Sequence, residues 1–368
     1  MPIQQMMLGA GGDPPVKVQD VFSVDTWTGD GSSEDIDNGI NLSGEGGLVW
    51  IKNRDSAPSN PSTNNHGHHW FDTVRGNTKY ITSSITFNSD PRELTSSNHL
   101  TSFNSDGYSV GSNESVNKNN DDIVGWTFRK HSKFFDIQTA TVGADDSTYD
   151  TTMTHSLECD CGMAVFKSRT NTTSQGYNWI VWHKEGCTGA NQYFTLNEYT
   201  GRRTGGNTVT YNSSNKTFTF GYPASRAADR LRPGTGAASD VVGYFFADNN
   251  NNGEFGSGGD EDIIKTGTYV GNGSSTGTAV SLGFEPQFVM LKMLNPNTYN
   301  SWMMFDSTRG VSTGGNDNTL KADSGIVEYT NYNYIKFTST GFQLESTSHD
   351  VNRSGHDYIY VAIRKDQS

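Results

Sequence analysis

The chain has 368 residues, of which 32% are hydrophobic and 41 are glycine, so it can fill several small cores but leaves much of itself to turns. A formal net charge of −13 excludes the basic surface that a phosphate backbone requires, and no nucleic-acid partner is expected. No run approaches the roughly 20 apolar residues of a membrane span, and the opening residues lack the positive start of a signal peptide.

Residues 1–19 stand apart from all that follows. They carry Met6, Met7 and Leu8 just before a glycine-rich stretch, an adaptable apolar set that cannot bury itself alone. The segment reads as an arm that attaches the chain to a partner.

From residue 20 onward the chain repeats itself. Leu48-Val-Trp-Ile-Lys52 returns as Met163-Ala-Val-Phe-Lys167 and Phe288-Val-Met-Leu-Lys292. Asp122-Ile-Val-Gly-Trp-Thr-Phe-Arg129 returns as Asp240-Val-Val-Gly-Tyr-Phe-Phe246 and Asp357-Tyr-Ile-Tyr-Val-Ala-Ile-Arg364. Phe71-Asp-Thr-Val-Arg-Gly76 returns once, as Phe305-Asp-Ser-Thr-Arg-Gly310. The period exceeds that of a solenoid unit, roughly 20–50 residues, and is the size of a domain. Three modules are therefore expected, at 20–133, 134–248 and 263–368, with 249–262 an Asn/Gly-rich linker. Short β-branched and aromatic runs lie between turn residues, and no helical apolar period persists over three turns. The fold class is all-β: three tandem antiparallel β-sandwich modules, jelly-roll or lectin-like, strung in series.

In the first module, Gly29-Asp-Gly-Ser-Ser33 looks like a phosphate loop, as does Gly271-Asn-Gly-Ser-Ser275 in the third. A phosphate loop opens a helix, whereas both of these precede strand-like runs, so they read as hairpin turns. His66, His68 and His69 form the densest histidine group, but neighbouring strand positions point in different directions and solvated loop histidines are expected. Asp72 and Arg75, like Asp306 and Arg309, have the spacing of a charge-assisted pair that fixes a corner.

In the second module, Cys159, Cys161 and Cys187 have neither the number of a disulfide framework nor the spacing of a zinc knuckle. They read as buried or loop thiols. At its end, Asp248, Asn250 and Asn252 precede Gly253 as in the first half of a calcium loop, making them candidate Ca2+ ligands. Gly259 stands where the loop's bidentate Glu belongs, with Asp260, Glu261 and Asp262 following it.

In the third module, alternation along Glu328–Phe337 places Tyr329, Ile335 and Phe337 on one face and Tyr332 and Tyr334 on the other. Exposed Tyr332 and Tyr334 beside Asn331 and Asn333 offer stacking faces and amide hydrogen bonds, a combination that suits sugars. No nucleophile elbow, His-Glu-x-x-His helix or protease cysteine context appears, so no enzyme is expected.

The phrases Gly44-Glu-Gly-Gly-Leu-Val-Trp-Ile-Lys-Asn-Arg54, Phe71-Asp-Thr-Val-Arg-Gly76, Trp126-Thr-Phe-Arg-Lys130, Val242-Gly-Tyr-Phe-Phe-Ala247 and Gly267-Thr-Tyr-Val-Gly-Asn-Gly273 carry a resemblance. They resemble a domain found in tandem in tail and other virion proteins of bacteriophages, especially phages of marine bacteria and cyanobacteria. The resemblance covers essentially the whole chain. It implies a virion structural protein, assembled in the host cytoplasm and bound to other virion proteins through residues 1–19. A tail fibre or receptor-binding protein would form a homotrimer and present its third module, farthest from the arm and free to swing on the linker, to host glycans. The alternative is a capsid decoration or other purely structural virion protein.

Overall fold

The computed structural model describes residues 16–57, 66–83, 92–142, 151–170, 178–189, 191–205, 208–221, 238–249, 255–256, 258–295, 300–311 and 315–366. The arm residues Met6, Met7 and Leu8 lie outside them, as do Asn250 and Asn252.

The first module has nine strands: β1 (Phe22–Thr28), β2 (Glu34–Asp37), β3 (Gly47–Asn53), β4 (His68–Asp72), β5 (Lys79–Thr82), β6 (Leu94–Thr95), β7 (Leu100–Phe103), β8 (Gly107–Val110) and β9 (Asp122–Arg129). Six form a sheet in the order β1-β9-β3-β4-β5-β6, and three form a second sheet in the order β2-β8-β7. Both orders recur strand for strand in the second and third modules. Neighbouring strands are antiparallel throughout, as in β1 with β9 and β3 with β4. Three tandem antiparallel β-sandwich modules are thus the architecture. Among the described residues, helix is confined to short turns at Val18–Asp20, Leu42–Glu45 and Glu114–Asn117.

The Gly-Asp-Gly and Gly-Asn-Gly segments are turns, each held by a buried asparagine from the far side of its module. Asn117 Oδ1 accepts from Asp30 N, and its amide donates to Ser32 O. Asn352 does the same for Asn272 N and Ser274 O. The central glycines Gly31 and Gly273 take φ of 74° and 68°, the left-handed region that favours glycine.

A two-sheet sandwich standing alone leaves the outer face of each sheet in water. Here every residue of β3 is buried, and so is all of Asp160–Ser168 after Asp160. The alternate faces of β3 go to different cores. Val49 and Ile51 pack under the small sheet of their own module with Phe71 and Tyr108. Leu48 and Trp50 join a core that also holds Met163 and Val165 from the second module and Phe288 and Met290 from the third. The three six-stranded sheets therefore face one another around a common axis, and a small apolar cavity on that axis is lined by residues of all three, Trp50, Val165 and Met290 among them.

The modules are consequently not beads on a string. Phe22 pairs with Phe128, Phe135 with Phe246 and Ile264 with Ile363, so each module begins and ends at the same pole. Rings from different modules meet there, Phe128 with Phe246 at 5.5 Å and Phe22 with Phe288 at 5.8 Å. The third module is therefore no farther than the others from the pole at which each module begins. Nor is it free to swing. The first linker residue, Asn249, is buried, accepts from Ile263 N and Ile264 N, and donates to Lys133 O.

A core built by three sheets must form and melt as one. Calorimetry of the intact chain should show a single unfolding transition. Residues 263–368 alone should lack a cooperative monomeric transition, because their inner face has lost its cover. A fragment that melts cooperatively as a monomer at the temperature of the intact chain would contradict the shared core.

Candidate functional site

The third module ends its large sheet with an edge strand, Tyr329–Tyr332, that its siblings shorten to Leu94–Thr95 and Arg203–Thr204. Tyr332 is 50% exposed, the freest large aromatic in this strand, with Asn331 and Asn333 exposed on either side. Its ring stacks on Tyr334 at 5.3 Å and 28°, and Tyr329 stands 6.1 Å away, nearly edge-on. Lys321 Nζ lies 5.0 Å over the Tyr329 ring and 3.9 Å from Asp350. The result is a shallow aromatic shelf with amides and charge at its rim.

Tyr334 departs from the expected outward position: it is only 4% exposed and packs in the core of its module. The alternation fails because the segment is two strands, not one. Asp317 Oδ2 accepts from both Tyr334 N and Ile335 N, at 2.7 and 2.9 Å, and breaks the run between Tyr332 and Ile335. Tyr334 therefore backs the shelf and Tyr332 is its face. Tyr329, assigned to the core side in the sequence, is partly exposed and belongs to the shelf.

The other candidates have structural work. Asp248 is buried, pairs with Lys184 at 2.8 Å and accepts from Thr266 N, so its carboxylate helps hold the second module to the third. No group of three or more His, Cys, Asp or Glu side chains able to hold a metal occurs among the described residues. The histidines are buried rather than solvated. His68 and His69 point to opposite faces of β4, the first toward the axis beside Trp126 and the second toward His99 and Tyr80. The three cysteines are free and buried, and burial pushes Cys159 up to about 11, away from reactivity. No helix among the described residues is long and apolar enough to cross a membrane.

The Phe-Asp-x-x-Arg-Gly phrase serves the joints between modules. Arg75 Nε pairs with Asp72, Tyr244 of the second module donates to that carboxylate, and Arg75 also reaches Glu93, which pairs with Arg169 of the second module. At the equivalent joint, Asp306 pairs with Arg309 and accepts from Trp126 Nε1 of the first module, while Glu328 bridges Arg309 and Arg54. At the third joint the Asp–Arg pair is gone from the corner. His183 takes the aspartate's place and bonds Tyr360 O, and Arg202 takes the place of the bridging glutamate, reaching Gly186 O. Backbone bonds confirm the equivalence: Glu93 N to Arg169 O, Arg202 N to Leu294 O and Glu328 N to Arg54 O.

The lysine that closes each repeated strand is also interior. Lys52, Lys167 and Lys292 are fully buried. Lys52 Nζ donates to Asn53 O, and Lys292 Nζ donates to Glu198 O of the second module and to Asn300 O. Burial pushes Lys52 down to about 7 and Lys292 down to about 8. These amines are buried, and Lys292 ties the third module to the second.

Two expectations follow. Tyr332→Ala should leave unfolding free energy within about 0.5 kcal/mol of wild type, and Tyr334→Ala should lose about 3 kcal/mol, read from denaturant titrations. The lysines set an alkaline trend. Between their folded values near 7–8 and the unfolded 10.5, the unfolded chain holds protons the native one has released, so stability rises with pH. Unfolding free energy from denaturant titrations should climb from neutral pH toward pH 10, on the order of 2–4 kcal/mol in total, and less in Lys52→Met. An unchanged slope in that variant would show that Lys52 is not its source.

Residues 17–366 match the profile of the family described as domain of unknown function, DUF7483, which takes the three modules as one unit. No curated protein and no solved structure matches the chain. By the extent of that match, the chain belongs to the DUF7483 family.

Proposed function

We propose that this chain is a bacteriophage virion structural protein, a tail fibre or receptor-binding protein that binds host-surface glycans through its third module and joins the particle through residues 1–19. The glycan reading is carried by one observation, the half-exposed Tyr332 stacked on a buried Tyr334 and flanked by two exposed asparagines. A supported ring with amide neighbours suits the apolar face and hydroxyls of a sugar. The virion reading is supported by the repeated phrases that resemble tandem domains of phage tail proteins. Attachment through the arm agrees with the chain's course, since residue 16 leaves from the pole where every module begins and ends. The protein acts in the virion, without catalysis and without a cofactor.

One such shelf per chain gives weak binding, on the order of 1 mM, so adsorption depends on many copies. A homotrimer would have to use outward surfaces, because the inner sheet faces are already covered by the chain's own modules. That closure also favours the second reading, a capsid decoration protein, for which a rigid unit with no ligand suffices.

Glycan-array binding and cell adsorption by wild type and Tyr332→Ala test the proposal. The variant should assemble into particles normally and lose at least about tenfold in array signal and adsorption. Equal binding by the variant removes the shelf from the function. Immunogold labelling separates the two readings: gold on the tail supports a fibre, whereas gold across the head supports decoration.

A further inference from the structure

Each module reaches across to a neighbour from two equivalent places, and those places are not filled alike. The first place holds His68, which pairs with Lys52 in the strand register, or its equivalents Trp179 and Trp302, one residue before the paired Ile180 and Met303. Trp179 Nε1 donates to Thr82 O, joining the second module to the first, and Trp302 Nε1 donates to Thr195 O, joining the third to the second. His68 Nε2 bonds Lys321 O at 3.1 Å, joining the first to the third. The second place holds Asp72, His183 or Asp306, and His183 Nε2 bonds Tyr360 O at 3.1 Å. Both joints of the third module thus contain one histidine, while the joint between the first two has Trp179 and Asp72 instead.

Neither imidazole has a spare nitrogen. His68 Nδ1 accepts from Trp50 Nε1 at 2.8 Å, and His183 Nδ1 accepts from Gly186 N at 3.2 Å. Each Nε2 must therefore carry the proton and donate across the joint. A second proton can only land on Nδ1, where it would face another N–H.

We propose that acidification loosens the two joints that hold the third module, with His68 and His183 as the paired triggers and the joint between the first and second modules left closed, while the shared axis core stays packed. The surroundings resist an added charge, which makes each ring a store of acid sensitivity. His68 lies among Trp50 and Trp126, with Lys52, His69 and Arg309 as the charged or titratable groups about it. Arg309 is already paired with Asp306 and Glu328. His183 faces Lys184, which is held by Asp160 and Asp248, and Glu185, whose carboxylate lies 3.5 Å from Nδ1. Glu185, 3.5 Å from Nδ1, is the one neighbour that would accommodate an imidazolium in the closed joint, so it tempers the acid sensitivity at His183. Burial holds His68 well below the ordinary 6.5 and His183 down to about 4. Because both folded values lie below the unfolded one, the stability these joints have at neutral pH is lost as pH falls below 6.5. His69, His99 and His155 are also buried, but they lie within single modules and hold no joint.

Three equivalent backbone amides report the three joints: Glu93, Arg202 and Glu328. Hydrogen exchange at these amides, between about pH 7 and about pH 5 on the full chain, is the test. Taking Glu93 as internal reference cancels the intrinsic pH dependence of exchange. Relative exchange at Arg202 and Glu328 should rise by up to about tenfold per pH unit below 6.5 in wild type. It should stay flat in the His68→Gln/His183→Gln variant, whose amides still donate across each joint without titrating. If that variant fails to fold, His183→Gln alone should flatten Arg202 and leave Glu328 pH-dependent. Equal acid sensitivity in wild type and variant, or opening at Glu93 together with the others, would overturn the proposal.

Discussion

Burial of both faces of the third strand in each module is the constraint on which the rest depends. In β3, Val49 and Ile51 look into their own sandwich, while Leu48 and Trp50 look toward the axis. Such a strand cannot rest in an isolated sandwich, because its second apolar face would stand in water. Burying one such side chain is worth about 1.5–3 kcal/mol, and three sheets each present several. The modules are therefore driven together around one axis, and a chain with three copies of the sheet can close that arrangement by itself. The axis core is tightly apolar, with the tilted rings of Trp70 and Trp126 packed against Trp50 at centroid distances of 4.3 and 5.4 Å.

Closing the ring brings backbone edges and buried polar groups of one module against the next, and each needs a partner in a low-dielectric setting. Two joints meet that need with a buried Asp–Arg pair and a bridging glutamate. The third uses His183 and Arg202, which satisfy carbonyl oxygens instead of carboxylates. Removing one member of a buried pair leaves the other charged and unpaired, so these joints tolerate coordinated change better than single change. The third joint reads as such a coordinated replacement: aspartate, arginine and glutamate give way together to histidine, glycine and arginine. The hydrogen-bond positions are kept while the Asp–Arg pair is not.

The sandwich repeat was legible in the sequence because strand phrases, turn glycines and module length recur in register. What the large sheets face was not legible. The clue was present in the repeated phrases themselves, since Leu48-Val-Trp-Ile-Lys52 is apolar at every position but the last, where a one-sided strand would alternate. The Asp72–Arg75 pair was readable from its spacing, but its reach to Tyr244 and Glu93 was not, because that depends on which module lies beside it. The histidines read as loop residues because Gly and Asn surround them. In the fold, β4 carries His68 to the axis in the place its siblings give to tryptophan. For the shelf, the pattern located Tyr332 and misplaced Tyr334, since a period of two cannot register the break that Asp317 makes by capturing two successive amides.

The repeats differ most where they are least constrained by one another. Strands on the axis must keep their apolar faces, and the joints must keep their hydrogen bonds, so change there is limited to matched replacements. The last strand of each large sheet, beyond the joint residue, bears no such demand. There the first module ends in Leu94–Thr95, the second in Arg203–Thr204, and the third extends to Tyr329–Tyr332. The shelf begins one residue after Glu328, whose carboxylate and amide are both fixed to Arg54 of the first module. Its tyrosines are thus displayed from a strand whose start is clamped by a neighbouring module, and whose inner ring, Tyr334, is locked in the core. An edge strand held at one end by an ion pair and backed by a buried ring loses little conformational freedom on binding. The closed ring therefore does more than stabilise the chain: it pre-organises the aromatic shelf of the third module.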